Sequence, residues 1–437
     1  MDIIEQYLPS GDNCECGKVH NLGAVKVISG SGAINSVATA VLELGGKKPF
    51  IVCDKNTFRV AGEKVASVLR ASDISHSIYV LQEDVIEPDE LAVGSVVMHF
   101  DHSCDLIIGV GSGVINDISK ILARTTKLPY IIVGTAPSMD GYASGTSSVV
   151  RDGFKISLNS KSADVIIGDT DILKNAPMKM LLSGLGDMVA KYVSILEWKL
   201  ANVIVNEYYC ERTASAVMTA LKKCVDNAEG LLVRDESAVK AVFDGLVLSG
   251  AAMAYVGLSR PASGVEHYFS HTWDMRAIEF GCPCDTHGNQ CAVGTLIAVK
   301  MYEKLKDYKI DAQRAIDYAQ NFDYDAHAKF LTDFLGKGAE SMISQEKVEK
   351  KYDKQKHLER LNVIVKNWDK IVEMISTLPS SVELEKLYDT LSMPKTLKDV
   401  GVDPSLEFDT FIATKDIRDK YVLSRLAWDL GIIDDFK

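Results

Sequence analysis

The sequence predicts two domains: an α/β N-terminal domain, 1–175, with a mostly parallel sheet, and an all-helical C-terminal domain, 176–437. Three observations predict it. Short β-branched runs alternate with helical patterns through the first third of the chain. That alternation implies a parallel sheet covered on both faces. Strand signals almost stop after Asn175-Ala176-Pro177. The 437-residue length is ample for two cores.

The strands read as Ala24–Ile28, Pro49–Cys53, Ser77–Leu81, Leu106–Val110 and Tyr130–Val133. The helices between them read as Ala33–Leu44, closed by Gly45-Gly46, then Ala61–Leu69 and Ile115–Ala123. Val149–Leu158 reads as a hairpin around Asp152-Gly153. Beyond residue 175, helical periodicity runs over Met178–Leu200, Glu207–Ala228, Ser237–Tyr255, Gly264–Met275 and Cys291–Lys304. The charged stretch Gln345–Arg360 reads as a solvated helix. The seam between the halves is the default place for a site.

Composition narrows the function. The formal net charge is −12, so no broad field draws in nucleic acid or anionic lipid. An anionic substrate needs a local cationic pocket or a bound metal. The start, Met1–Gln6, carries Asp2 and Glu5 and lacks the pattern of a signal peptide. The longest apolar stretch, Ala238–Leu258, is interrupted by Lys240 and Asp244 and reads as a buried helix, so no membrane partner is expected. Nine scattered Cys suit reduced thiols in a cytoplasmic protein.

Two loops carry candidate ligand chemistry. Asp105 to Asp117 runs from a strand through Gly109, Gly111 and Gly113 into a helix. Glycines admit a phosphate to the backbone, and a helix N-terminus offers unpaired N–H groups. A tight strand-to-helix turn is the alternative reading, and the G-x-G-x-G spacing departs from the usual dinucleotide fingerprint. Asp54 ends the second strand, where an acid either holds a ribose hydroxyl or caps a turn. The second loop, Gly134-Thr-Ala-Pro-Ser-Met-Asp-Gly-Tyr-Ala-Ser144, follows the next strand. Its Asp140 is either a substrate-hydroxyl acceptor or an Asp-Gly turn.

Three segments hold candidate metal ligands: Gly184 to Lys191 with Asp187, Arg260 to His271, and Thr286-His287-Gly288. Three of the nine His fall between 267 and 287. His267 and His271 are four apart and share a helix face, which is ligand spacing. Two imidazoles and a carboxylate suit zinc, nickel or ferrous iron. Near the start, Cys14, Cys16 and His20 form a cluster able to bind a second metal with Cys282 and Cys284. An exposed arm with free thiols is the other reading.

Taken together, Asp105–Lys120, Thr135–Ser144, Gly184–Lys191, Arg260–His271 and His287–Thr295 resemble the sn-glycerol-1-phosphate dehydrogenase family. That family lies within the iron-containing alcohol dehydrogenase, glycerol dehydrogenase and dehydroquinate synthase superfamily. The strings T-A-P-S-M-D-G-Y-A-S and R-P-A-S-G-x-E-H carry most of the specificity, and the likeness covers most of residues 20 to 300. The resemblance implies a Rossmann-like sheet and a dehydroquinate synthase-like helical domain. It implies NAD or NADP on Gly111, Gly113, Val114, Ile115, Asn116 and Asp117, with Thr135, Ala136, Pro137, Ser138 and Ser144 lining the cofactor site. Asp140 would contact a small phosphorylated substrate. Asp187, His267 and His287 would hold one divalent metal, zinc, nickel or iron. The catalytic set would be Asp187, His267, His271 and His287, with Asp187 and His271 also facing substrate. His271 thus becomes a substrate-facing residue, not the ligand that spacing alone suggests. Arg260, Lys155 and Lys191 are the cationic candidates for the substrate phosphate. The implied assembly is a homodimer, and the implied reaction is NAD(P)H-dependent reduction of dihydroxyacetone phosphate. A glycerol dehydrogenase acting on unphosphorylated polyols is the alternative. The segment Gly288-Asn289-Gln290-Cys291 departs from the pattern of many relatives, which carry Glu-Lys or Glu-Gln after the glycine.

Overall fold

A computed structural model describes residues 3–11, 13–22, 25–152 and 154–437. Among the described residues a six-stranded, wholly parallel sheet runs in the order β1-β8-β5-β4-β2-β3. Its strands are β1 (Lys26–Gly30), β2 (Pro49–Asp54), β3 (Ser77–Leu81), β4 (Leu106–Gly111), β5 (Tyr130–Gly134) and β8 (Val165–Asp169). β2, β4, β5 and β8 are buried along nearly their whole length, as a sheet covered on both faces requires. β6 (Thr146–Arg151) and β7 (Phe154–Asn159) form the expected antiparallel hairpin. Its Gly153, and Ala24 at the start of the predicted first strand, lie outside the described residues.

The sequence reading missed β8, which sits between β1 and β5. Val165-Ile-Ile-Gly-Asp169 follows the hairpin after a short spacer and lacks a helix ahead of it, so the alternation rule had nothing to catch.

The chain divides into two compact units. Unit 1 is Met1–Met188 with Glu211–Leu258, and unit 2 is Val189–Cys210 with Ser259–Lys437. These are not the blocks 1–175 and 176–437. Helices α2 (Met178–Val189), α4 (Glu211–Asp226) and α5 (Glu236–Val256) lie mostly in the sheet's unit. The cause is packing: Phe243 of α5 fits against Gly134 and Gly168 at the ends of β5 and β8. α5 is long and apolar enough to cross a bilayer, but 83% of its most apolar window is buried, as a core helix requires.

The predicted helix 178–200 breaks at Ala190 into α2 and α3 (Lys191–Val205). The predicted helix 345–360 is also two pieces, Ala339–Glu349 and Lys354–Lys366. Lys350 turns left-handed between them, and Asp353 caps the second. In unit 2, α6 (Val265–Phe280) and α7 (His287–Lys306) pack closely. A Cβ at Gly294 would lie 2.7 Å from the Glu266 carbonyl oxygen, so glycine is what lets α7 approach.

Candidate active site

In unit 1, β4 runs into Gly111-Ser112 and then α1 (Gly113–Thr126). Ser112 is the N-cap, and its side chain makes no capping hydrogen bond. The first-turn N–H groups therefore have no side-chain cap, and the positive dipole end is open to an anion. A cavity of about 270 Å³ is lined by Ser112, Val114 and Ile115 of this turn and by Asp54, Lys55 and Arg59 at the end of β2. A backbone turn of this kind beside a cavity suits a phosphate group. Asp54 Oδ1 also accepts from the backbone N–H groups of Asn56 and Thr57 at 2.7 and 2.8 Å, so capping and cavity lining fall on one residue.

The 134–146 loop is held from several sides. Lys120, fully buried, donates to Gly141 O, to the Ser144 hydroxyl at 3.0 Å and to Thr146 O at 3.1 Å. Asn116 Nδ2 donates to Gly141 O at 3.0 Å. The Tyr142 hydroxyl donates to Ala136 O, and the Ser183 hydroxyl on α2 to Ser138 O. Thr135 N–H reaches Gly111 O at 3.1 Å, which ties the two loops together. A Cβ at Gly184 would lie 1.8 Å from Pro137 O, so glycine is what lets α2 come this close to the loop. The Ser144 hydroxyl is used within the loop, donating to Gly141 O or Thr146 O at 3.1 Å. The Asp117 carboxylate sits 3.9 Å from Lys120. Burial pushes Asp117 up to about 6 against the Lys120 charge, and burial pushes Lys120 down to about 8.

Asp140 is fixed at both ends. Its N–H donates to Asp187 Oδ2 at 3.0 Å, and its Oδ2 accepts from the Ser249 hydroxyl of α5 at 2.9 Å. A Cβ at Gly250 would come 2.4 Å from Asp140 O. Asp187 is fully buried on α2.

In unit 2, His267 and His271 lie on α6, and His287 opens α7. The rings of His267 and His287 are 5.0 Å apart, and His271 stacks on His287 at 5.9 Å. His267 Nδ1 donates to Glu266 Oε1 at 2.8 Å, and the Ser270 hydroxyl bonds His287 Nδ1 at 2.9 Å. Each bond sets a ring orientation, and the Glu266 carboxylate, which only accepts, also sets the His267 tautomer. The ligand atoms of His267, His287 and Cys291 all lie within 4.8 Å of one another, and the His271 ring is outside that group. Sequence reading named Cys291 only as a departure from the family, yet it is four residues after His287 on α7. Burial raises its thiol, and the two imidazoles outweigh that and hold it below its ordinary value.

Glu266 is fully buried, and its Oε1 also takes Gly264 N–H at 2.6 Å. Neighbouring Glu197 is pushed up by burial and by the Glu266 charge. Among the cationic candidates, Arg260 is committed to Glu207 through two nitrogens and to Tyr421 O, and Lys191 donates to Ala262 O. Lys155 is on β7. The tail, undiagnostic in sequence, supplies Lys420, which donates to Ser263 O. Burial and the Arg260 charge lower it to about 7.

A glycine turn on a parallel sheet, with a buried His267 and a half-buried His287 side by side in a helical unit, suits a nucleotide- and metal-using dehydrogenase. Residues 28–177 match the iron-containing alcohol dehydrogenase family model. The structure is similar to that of glycerol dehydrogenase from Schizosaccharomyces pombe, with a TM-score of 0.58 and 17% identity, over 94% of this chain and 89% of that one. At that identity the likeness shows the fold. Glycerol-1-phosphate dehydrogenase [NAD(P)+] from Geobacillus thermodenitrificans is 31% identical over 69% of this chain and 76% of its own length. The enzyme of that name from Halalkalibacterium halodurans is 27% identical over 96% of both. This chain belongs to the glycerol-1-phosphate dehydrogenase family, within the iron-containing alcohol dehydrogenases.

Proposed function

We propose that this chain is an NAD(P)-dependent, metal-containing sn-glycerol-1-phosphate dehydrogenase that reduces dihydroxyacetone phosphate. The observation that carries the reading is Asp140. The loop that most marks the family folds beside the glycine turn, with this one carboxylate held by Ser249 and its backbone held by Asp187. A carboxylate so fixed accepts a substrate hydroxyl without losing rotamer freedom at binding.

The donor chemistry fits a divalent ion: two orientated imidazoles, with a thiol beside them. We assign His267 and His287 as ligands and keep Asp187 as the third on the family resemblance, since it is not in the group of close donors that His267 and His287 form with Cys291. Zinc, nickel and iron all suit these donors. A cation so held supplies Lewis-acid stabilisation of charge developing on the substrate's C2 oxygen. Glu266 and Ser270 keep the two imidazoles aimed. His271, only partly buried beside His287, holds the proton that C2–O gains in reduction. On the cofactor side, the α1 N–H groups bind the pyrophosphate and Asp54 faces the ribose. An acid there repels a 2′-phosphate, which favours NAD. The cofactor, when bound, carries the hydride. The working form is proposed to be a cytoplasmic homodimer.

The test is NADH absorbance with the zinc- or nickel-loaded enzyme. Oxidation with dihydroxyacetone phosphate and none with dihydroxyacetone is the expected result, followed by product chirality. Oxidation with dihydroxyacetone alone overturns it in favour of a polyol dehydrogenase.

A further inference from the structure

The N-terminal arm carries a second donor cluster that the dehydrogenase reaction does not use. Residues 13–20 fold back on themselves. Asn13 bridges Val19, Gly17 N–H closes on Cys14 O at 2.9 Å, and Cys14 N–H reaches Lys18 O at 3.3 Å. Gly17 takes a φ of 82°, the left-handed region that a side chain disfavours. The turn brings Cys14, Cys16 and His20 to one side. Cys210, peptide-bonded to Glu211 at the start of α4, adds a fourth donor. The three sulfurs and the imidazole nitrogen all lie within 4.8 Å of one another. A tetrahedral zinc with ordinary bond lengths sets S···S at about 3.8 Å and S···N at about 3.6 Å. The Cys16 Sγ to His20 Nε2 distance of 3.1 Å is about half an ångström inside that.

His20 is already set for ligation. Its Nδ1 lies 2.8 Å from Tyr255 O, and a carbonyl only accepts, so Nδ1 carries the proton and Nε2 presents its lone pair to Cys16. The ring stacks on Tyr255 at 4.1 Å, and the Tyr255 hydroxyl donates to Pro9 O at 2.9 Å. His20, Cys14 and Cys210 are buried, and Cys16 is half-buried. Cys282 and Cys284, the partners suggested by sequence, are exposed in unit 2 and are not in this group.

We propose that Cys14, Cys16, His20 and Cys210 bind a structural zinc ion that fastens the N-terminal arm to the start of α4. Three thiolates and one imidazole are a closed donor set, with no position left for substrate. Thiolates select zinc over magnesium or calcium. The arm has few apolar anchors of its own, Ile4 and Leu8 among them, so the ion supplies a crosslink that its core does not.

The test removes the histidine cluster from view. In a His267→Ala/His287→Ala chain purified without chelator, about one zinc per chain should remain. Grown with cobalt instead, that chain should show the d–d and thiolate-to-cobalt charge-transfer bands of a tetrahedral thiolate site, and adding Cys16→Ser should remove them. In the otherwise native chain, Cys16→Ser/His20→Asn should lose one zinc and melt earlier, while still oxidising NADH when loaded. A metal-free His267→Ala/His287→Ala chain overturns the proposal. So do cobalt bands that survive Cys16→Ser, or fewer than the nine thiols of the sequence on titrating the denatured, unreduced protein. If the Cys16→Ser/His20→Asn chain does not fold, the cobalt spectrum of the His267→Ala/His287→Ala chain still decides.

Discussion

The candidate residues of unit 1 and those of unit 2 are held in place by different means. In unit 1 the 134–146 loop is pinned largely through its backbone: carbonyls of Ser138, Gly141 and Thr146 accept from side chains on the surrounding elements, Ala136 O accepts from the loop's own Tyr142, and one buried ammonium reaches two of these carbonyls and the Ser144 hydroxyl. In unit 2 the histidines stand on the facing helices α6 and α7 and are pinned through their rings, by Glu266 and Ser270. The difference teaches where each unit is vulnerable. A loop pinned through carbonyls fails when a donor is lost, whether that donor stands on a neighbouring helix or, like Tyr142, in the loop itself. A cluster of rings fails at the ring itself and weakens by degrees at its supports.

The largest effect should come from the rings. His267→Ala and His287→Ala should each lose the bound metal, with a drop of several kcal/mol in transition-state stabilisation, about a thousandfold in kcat/KM. Metal content and kinetics on the same sample check this, and a variant with full metal and full rate would break the assignment. His271→Ala should keep its metal and lose rate. Next comes the donor of unit 1. Lys120→Met leaves Asp117 without its counter-charge and takes one donor each from Gly141 O, the Ser144 hydroxyl and Thr146 O. It should cost about 3 kcal/mol of stability by denaturant unfolding; a cost below about 1 kcal/mol would mean that the ammonium is dispensable.

Asp117 gives a test of similar size through pH. Its folded value is raised from 3.8 to about 6, mainly by burial. The folded chain therefore holds that proton more tightly than the unfolded one. The stabilisation is complete below pH 3.8 and lost as pH rises to about 6, at most about 3 kcal/mol. Asp117→Asn should remove this part of the pH dependence; equal stability changes in both chains between about pH 4 and pH 6.5 would contradict it. The smallest effect sharpens the picture of unit 2. Glu266→Gln keeps the shape but weakens the hold on His267, and metal affinity should fall about 10- to 100-fold by competition with a chelator.

Much of this was legible in the residues. The strands at 49–53, 77–81, 106–110 and 130–133 read correctly because buried parallel strands are continuous β-branched runs. The strand-turn-helix at Gly111 and Gly113 read correctly because a buried apolar run, a glycine cluster and a helical pattern follow one another directly in the chain. Helix breaks did not read. Ala190 is a good helix former, and the break there is set by what α2 and α3 each pack on. Lys120 looked like an ordinary helix lysine, since a one-dimensional pattern does not say which cation is buried. Cys291 and Cys210 were equally silent: an isolated Cys is read as a small apolar residue until its neighbours in space are known.

By itself the sequence determined the class of the fold and the family, because these depend on periodicity and on motifs contiguous in the chain, and it nominated the ligand residues proposed above. Only the tertiary structure decided which helices join the sheet's unit, and that Arg260 is committed to Glu207. It also decided that Cys210, far along the chain, meets Cys14, Cys16 and His20. Those facts depend on burial and on contacts between residues remote in sequence, and local pattern carries no information about either.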